Sequence, residues 1–213
     1  ISSKGLILGI IIFLNSDPTL FFCLTLCLIF SLCFHEYAHG IVAFYLGDDT
    51  AYKKGRLTLN PLAHLDPVGS LMILFIGIGY AKPVPVNPYN LSNRRQDMIK
   101  IAAAGPLSNL LLSFVGIFLY YLFSPGENST LSMFLQIFIH INTALAVFNL
   151  IPMYPLDGGQ IFGNLLSERF PDFSRKLLIY GPKILLAIIL IGIITGYSIL
   201  WAVIGPIVKF IIL

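Results

Sequence analysis

The chain is short of charge. Of its 213 residues, 13 are Lys or Arg and 10 are Asp or Glu, so 11% are charged, where a soluble domain carries about 25%. With 57% hydrophobic residues and a mean hydropathy of +0.87, it has too few polar side chains to clothe a water-facing surface. The net charge of +3 is small and scattered, which excludes a basic nucleic-acid groove. Cysteine is scarce as well. Cys23, Cys27 and Cys33 share one apolar run with no Cys-x-x-Cys pair, so no disulfide framework is expected and the three read as small buried apolar residues. Internal repeats, low-complexity tracts and a soluble domain are not evident. The chain begins at Ile1, and its first segment lacks the signature of a signal peptide.

What is abundant is long apolar sequence, which suits lipid. Residues 5–14 are apolar but short for a span, which needs about 20 residues. Residues 19–46 are long enough to cross. Residues 47–66 are polar and basic, with Thr58, Leu59, Asn60 and Pro61 closing a short strand-like stretch. Residues 67–80 form a glycine-containing apolar run whose length suits a re-entrant piece better than a crossing. Residues 81–100 are polar and proline-rich. Residues 101–123, 131–154, 177–197 and 198–213 read as further helices, with Gly196 and Tyr197 marking a turn or a kink between the last pair.

Ten of the 13 basic residues collect in three places: Lys53, Lys54 and Arg56; then Lys82, Arg94, Arg95 and Lys100; then Arg169, Arg175 and Lys176. If residues 67–80 dip in and return, all three fall on one side, the cytoplasmic side by the positive-inside rule. The expected fold is an all-α polytopic membrane protein with about six transmembrane helices and a small re-entrant or β-like loop region. One domain spans residues 1–213, with a core at about 20–165 and C-terminal helices at about 177–213.

Within the 19–46 run stands His35-Glu36-Tyr37-Ala38-His39. Positions i and i+4 of a helix share a face, so both imidazoles can reach one zinc ion while the intervening carboxylate sits beside it. Ionisable groups deep in an apolar span cost about 2.5–3.5 kcal/mol each on insertion scales, and a bound metal offsets that cost. A polar packing cluster would not explain the spacing. Two imidazoles leave a catalytic zinc one protein ligand short. Asp157 is the best third ligand: it ends a long apolar run and precedes Gly158 and Gly159, which let backbones approach closely. The rival role for Asp157 is a helix N-cap. His64, in a polar connection, and His140, on a helix without an acidic neighbour, are the competing ligands; each reads better as a histidine with an ordinary hydrogen-bond partner.

His35-Glu36-Tyr37-Ala38-His39 on a membrane helix, followed by Asn149-Leu150-Ile151-Pro152-Met153-Tyr154-Pro155-Leu156-Asp157-Gly158-Gly159, resembles the site-2 protease family of intramembrane zinc metalloproteases. Gly79 to Asn87 and Ala104-Gly105-Pro106-Leu107-Ser108-Asn109 are similar to family segments too. The resemblance covers about residues 20–165. It implies a three-helix catalytic core around one zinc per chain, held by His35, His39 and Asp157, with Glu36 as general base. It also implies cleavage of peptide bonds within or next to transmembrane segments of membrane-protein substrates. No inserted PDZ-like or CBS-like domain is seen, which resembles the short prokaryotic members.

The residues support the same chemistry independently, since a carboxylate beside an activated water can move its proton to a leaving amine. Asn142, on the helix leading to Asp157, is a candidate oxyanion donor or an interhelical hydrogen-bonding residue. Asn109 and Asn149 read as structural, and Gly105-Pro106 as a packing device. Tyr80 to Asn87 is a candidate edge strand for an extended substrate, with Val84 and Val86 as its docking residues. The alternatives are a catalytically inactive membrane binding protein, against which the intact Glu36 argues, and a metal transporter, which would spread its ligands along a pore. The expected partners are a transmembrane substrate and the lipid bilayer, with no nucleic acid; homo-oligomerisation is left open. The expected location is a prokaryotic plasma membrane with the active site towards the cytoplasm.

Overall fold

The computed structural model describes residues 9–77 and 79–212. Residues 5–8 of the first apolar run, Ile78 and Leu213 lie outside them. Ten α-helices follow in order: α1 (Phe13–Ser16), α2 (Pro18–Tyr45), α3 (Thr50–Lys53), α4 (Pro61–His64), α5 (Pro67–Ile76), α6 (Arg94–Phe123), α7 (Thr130–Asn149), α8 (Asp157–Leu166), α9 (Pro171–Thr195) and α10 (Ile199–Ile212). Their starts are written locally. Asp17 accepts from Leu20 N at 3.0 Å ahead of Pro18, Asn93 from Gln96 N at 3.2 Å, and Ser129 from Ser132 N at 3.1 Å. Each satisfies an N–H that the first helical turn leaves free.

Among the described residues, four helices are long and apolar enough to cross a membrane: α2, α6, α7 and α9. About six were expected; the remaining two apolar helices, α5 with 10 residues and α10 with 14, are shorter than a span. Gly196, at φ 71°, ends α9 in the left-handed region that favours glycine, so the last apolar stretch is two helices with a turn. Two boundaries move for physical reasons. α6 starts at Arg94, ahead of the apolar run, because Asn93 caps it and Asp97 pairs with Lys100 at 2.9 Å across its polar first turns. α7 stops at Asn149 because Pro152 and Pro155 follow, and proline cannot continue a helix.

Among the described residues there is no strand. The stretch closing at Pro61 is irregular, and so is the Tyr80–Asn87 segment apart from a single antiparallel bridge, Leu65 to Ala81. Pro83 and Pro85 have no N–H to give a ladder, and the amides of Val84 and Asn87 go to side chains, Glu36 at 2.8 Å and Asp48 at 2.7 Å.

α2, α6 and α7 pack against one another, and α8 returns against α6; α9 leans on α8, and α10 on α7. Cys27, Leu112 and Phe138 form the apolar heart of the three-helix seam. Polar groups pin it: Ser113 Oγ and Thr143 Oγ1 lie 2.7 Å apart between α6 and α7. Cys23, Cys27 and Cys33 are buried and unbridged, as expected.

Candidate active site

His35, Glu36 and His39 occupy adjoining turns of α2, and Asp157 opens α8. The chain can deliver Asp157 there because α8 folds back tightly on the loop before it. A side chain at Gly158 would meet the Leu150 and Ile151 carbonyls at 2.4 and 2.3 Å, and one at Gly159 would meet Tyr154 N at 2.4 Å. The helix N-terminus also favours a carboxylate in its first turn.

Three side-chain donors converge. His35 Nε2 is 3.0 Å from His39 Nε2 and 3.1 Å from Asp157 Oδ2, and His39 Nε2 is 3.4 Å from Asp157 Oδ1. All three residues are buried, at 5%, 9% and 8% exposure.

The other ring nitrogens fix the tautomers. His39 Nδ1 is 2.7 Å from the Ile101 carbonyl, which can only accept, so Nδ1 carries the proton. His35 Nδ1 is 2.6 Å from Asn109 Oδ1. That amide is oriented by its own nitrogen, which donates to Ser31 O at 3.3 Å and to Asn142 Oδ1 at 3.0 Å. His35 Nδ1 is therefore a donor too. With neutral imidazoles, both Nε2 lone pairs and a carboxylate face the same small space, and Asp157 Oδ2 receives no aligned hydrogen bond. Such a set is unfavourable by itself and favourable around a cation. Two imidazoles and one carboxylate are also a normal zinc donor set, with the outer nitrogens hydrogen-bonded as metal-binding histidines require. The residues present fit zinc, and among the described residues His35, His39 and Asp157 are the group able to hold a metal ion.

The rival histidines stand apart from this group. His64 is fully buried with Nε2 2.6 Å from Thr58 O, and His140 is exposed with Nδ1 2.7 Å from Gln136 O. Asn142 does not face the converging donors. It accepts from Asn109 and donates to Phe138 O at 2.9 Å, so it is the third member of a chain that ends on His35. Val84 comes closer than its sequence position suggests, giving its N–H to Glu36 Oε2 at 2.8 Å. Val86, further along, is half-buried. Sequence reasoning passed over Ile101 and gave Asn109 only a structural role and Gly105 only a packing one. Their spacing of four was the available signal, a stripe on one face of an apolar helix.

The model of peptidase family M50 matches residues 124–192. YwhC of Bacillus subtilis, which bears a zinc-metalloprotease name, is 40% identical over 84% of this chain and 84% of its own length. MJ0611 of Methanocaldococcus jannaschii, similarly named, is 35% identical over 60% of this chain and 62% of its own. Rip2 of Mycolicibacterium smegmatis, also so named, is 30% identical over 69% of this chain and 57% of its own. No solved structure matches the chain. The chain belongs to peptidase family M50, the site-2 protease family of zinc metalloproteases. It is an integral membrane protein, and the His35-Glu36-Tyr37-Ala38-His39 motif lies on a helix of spanning length.

Proposed function

We propose that this chain is an intramembrane zinc endopeptidase, a single domain that cuts peptide bonds within or next to transmembrane segments of membrane-protein substrates. The observation that carries the reading is the position of the donors: His35 and His39 lie inside α2, a helix apolar and long enough to cross. A metal transporter would string its donors along a path, whereas these converge on one point.

His35, His39 and Asp157 would hold the zinc, which when bound supplies Lewis acidity towards water and the scissile carbonyl. Glu36 is the general base: it takes the proton of the attacking water and returns it to the leaving amine nitrogen. Ile101 and Asn109 keep the imidazoles in the binding tautomer. Asn142 acts through Asn109 as an orienting residue rather than as an oxyanion donor.

A helical substrate shields its own peptide bonds, so it must be held extended. The segment Tyr80–Asn87 is suited to this. It is pinned at one end by Lys82 N to His64 O at 2.7 Å and by Arg56 to Lys82 O at 2.7 Å, at the other by Asn87 N to Asp48 at 2.7 Å, and in the middle by Val84 on Glu36. Val84 and Val86 would line the docking edge. α5 precedes this segment and is too short to cross, so it would be re-entrant, with α10 completing the bundle. That arrangement puts the basic connections on the cytoplasmic face of a prokaryotic membrane, with the site nearer that face.

The test is cleavage by the purified chain of single-span helical peptides in micelles, with a soluble unfolded peptide of the same sequence core as comparison. The expected product ends fall within or beside the span, and exclusive cleavage of the soluble peptide would contradict the proposal. A photo-crosslinker at Val86 should capture the uncut substrate; capture only from remote positions would dismiss the docking edge. Cysteine labelling at Asn128 from outside and at Lys54 from inside checks the orientation, and the reverse pattern would overturn it.

A further inference from the structure

Gly105 lies in the middle of the buried face of α6. A methyl group on its Cα would stand 2.4 Å from His39 Nε2, 2.5 Å from His35 Cε1 and 2.6 Å from His35 Nε2. These are close to the distance at which zinc sits from an imidazole nitrogen, about 2.0–2.1 Å. Of the described glycines, Gly105 alone would place its methyl against this donor group. From this we infer that Gly105 is a positioning residue whose missing side chain reserves the metal's place, so that α6 forms a wall of the zinc site without contributing a ligand. The inference rests on the assignment of His35, His39 and Asp157 as ligands.

The two rings cannot simply swing aside. His39 is tied to Ile101 O at 2.7 Å and His35 to Asn109 Oδ1 at 2.6 Å. Both anchors belong to α6, one turn before Gly105 and one turn after it. A methyl between them would push both rings away from the helix that orients them, and each move breaks a buried hydrogen bond. Gly116, lower on the same helix, is the natural contrast. Its added methyl would meet Ile139 Cγ1 at 2.8 Å and Phe138 Cδ1 at 3.1 Å, apolar side-chain atoms with no polar anchor. Crowding at Gly116 is a packing matter; crowding at Gly105 falls on the donor atoms themselves.

The experiment uses the full chain in detergent, with zinc per chain measured at buffered free zinc and the unfolding midpoint measured with and without zinc. Wild type and Gly116→Ala should hold about one zinc per chain. Gly105→Ala should lose at least about tenfold in zinc affinity, and its midpoint should no longer rise on adding zinc. Its metal-free midpoint should fall somewhat, because the displaced rings give up their hydrogen bonds to Ile101 and Asn109, so zinc is scored on the protein that remains folded. Wild-type zinc affinity in Gly105→Ala would overturn the inference. So would a Gly105→Ala midpoint that rises on adding zinc as much as the wild-type midpoint does, since the site would then still fill. Loss of zinc from Gly116→Ala would overturn it as well, because any crowding of α6 would then empty the site. His39→Ala is the separate arm: zinc retained there refutes the ligand assignment rather than the role of Gly105.

Discussion

α6 and α9 are both long and apolar enough to cross a bilayer, yet the protein treats them differently. In the most apolar stretch of α6, 44% of residues are buried inside the protein, against 11% in α9. Along α6, Ile101, Gly105, Asn109 and Ser113 recur at every fourth position and are all buried. α9 instead exposes Leu178, Leu186, Leu190 and Ile194. Lipid tails are as apolar as leucine, so apolar area alone does not select a neighbour in a membrane. Close approach of small residues and interhelical hydrogen bonds do. A polar or bare position in such a helix is therefore informative, and a leucine is not.

The sharpest way to break the contrast is to remove the carboxylate that α8 brings to the seam. Asp157→Ala should lose both bound zinc and activity, because two histidines alone are too few ligands for a catalytic zinc. Zinc analysis beside a cleavage assay checks this; full metal in Asp157→Ala, with loss in His64→Ala or His140→Ala, would show the third ligand to be wrong. Asn109→Ala should weaken zinc binding by about 10–100-fold, the usual cost of losing a hydrogen-bonding partner behind a metal-binding histidine. Competition against a chelator gives the number. An unchanged affinity would mean that His35 keeps its orientation without Asn109.

A smaller, pH-dependent effect is expected at Asp48, in the connection after α2. Burial works against its charged form, but hydrogen bonds from Thr50, Asn87 and Asn90 outweigh this and hold the carboxyl below its ordinary range. With the folded value depressed, the stabilisation is fully present above the unfolded value of about 3.9 and is lost as pH falls through the folded one. Unfolding midpoints followed from about pH 6 to pH 3 should thus fall more steeply in wild type than in Asp48→Asn. Parallel curves would remove Asp48 from the account. On the other side of the comparison, Leu190→Ala on α9 should change stability by no more than about 0.5 kcal/mol and leave zinc untouched. Loss of zinc there would mean that α9 supports the site.

The legibility of the molecule follows the same division. The histidine pair and Asp157 were readable because ionisable side chains in apolar sequence need a reason to be there. The long helices were readable because bilayer thickness sets their length. The Ile101 carbonyl and the Val84 amide could not be read, since any residue has them and only the fold aims them. Asn142 was legible as a polar residue in a span but not by role, because its direction depends on Asn109, 33 positions away in the chain. Gly105 looked like a packing glycine, and only the rings on the neighbouring helix give its empty space a use. The first turns of α6 were missed because their stability comes from a cap and an ion pair rather than from apolar residues.

The central claim, a zinc site whose own carboxylate moves the proton, is tested most directly by Glu36→Gln in the purified full chain, scored for zinc content and for cleavage of a single-span substrate. The amide keeps the shape of the side chain but cannot take a proton. The account predicts about one zinc per chain, as in wild type, and no cleavage. Proteolysis that persists would contradict the general base, and zinc that is lost would make Glu36 a ligand.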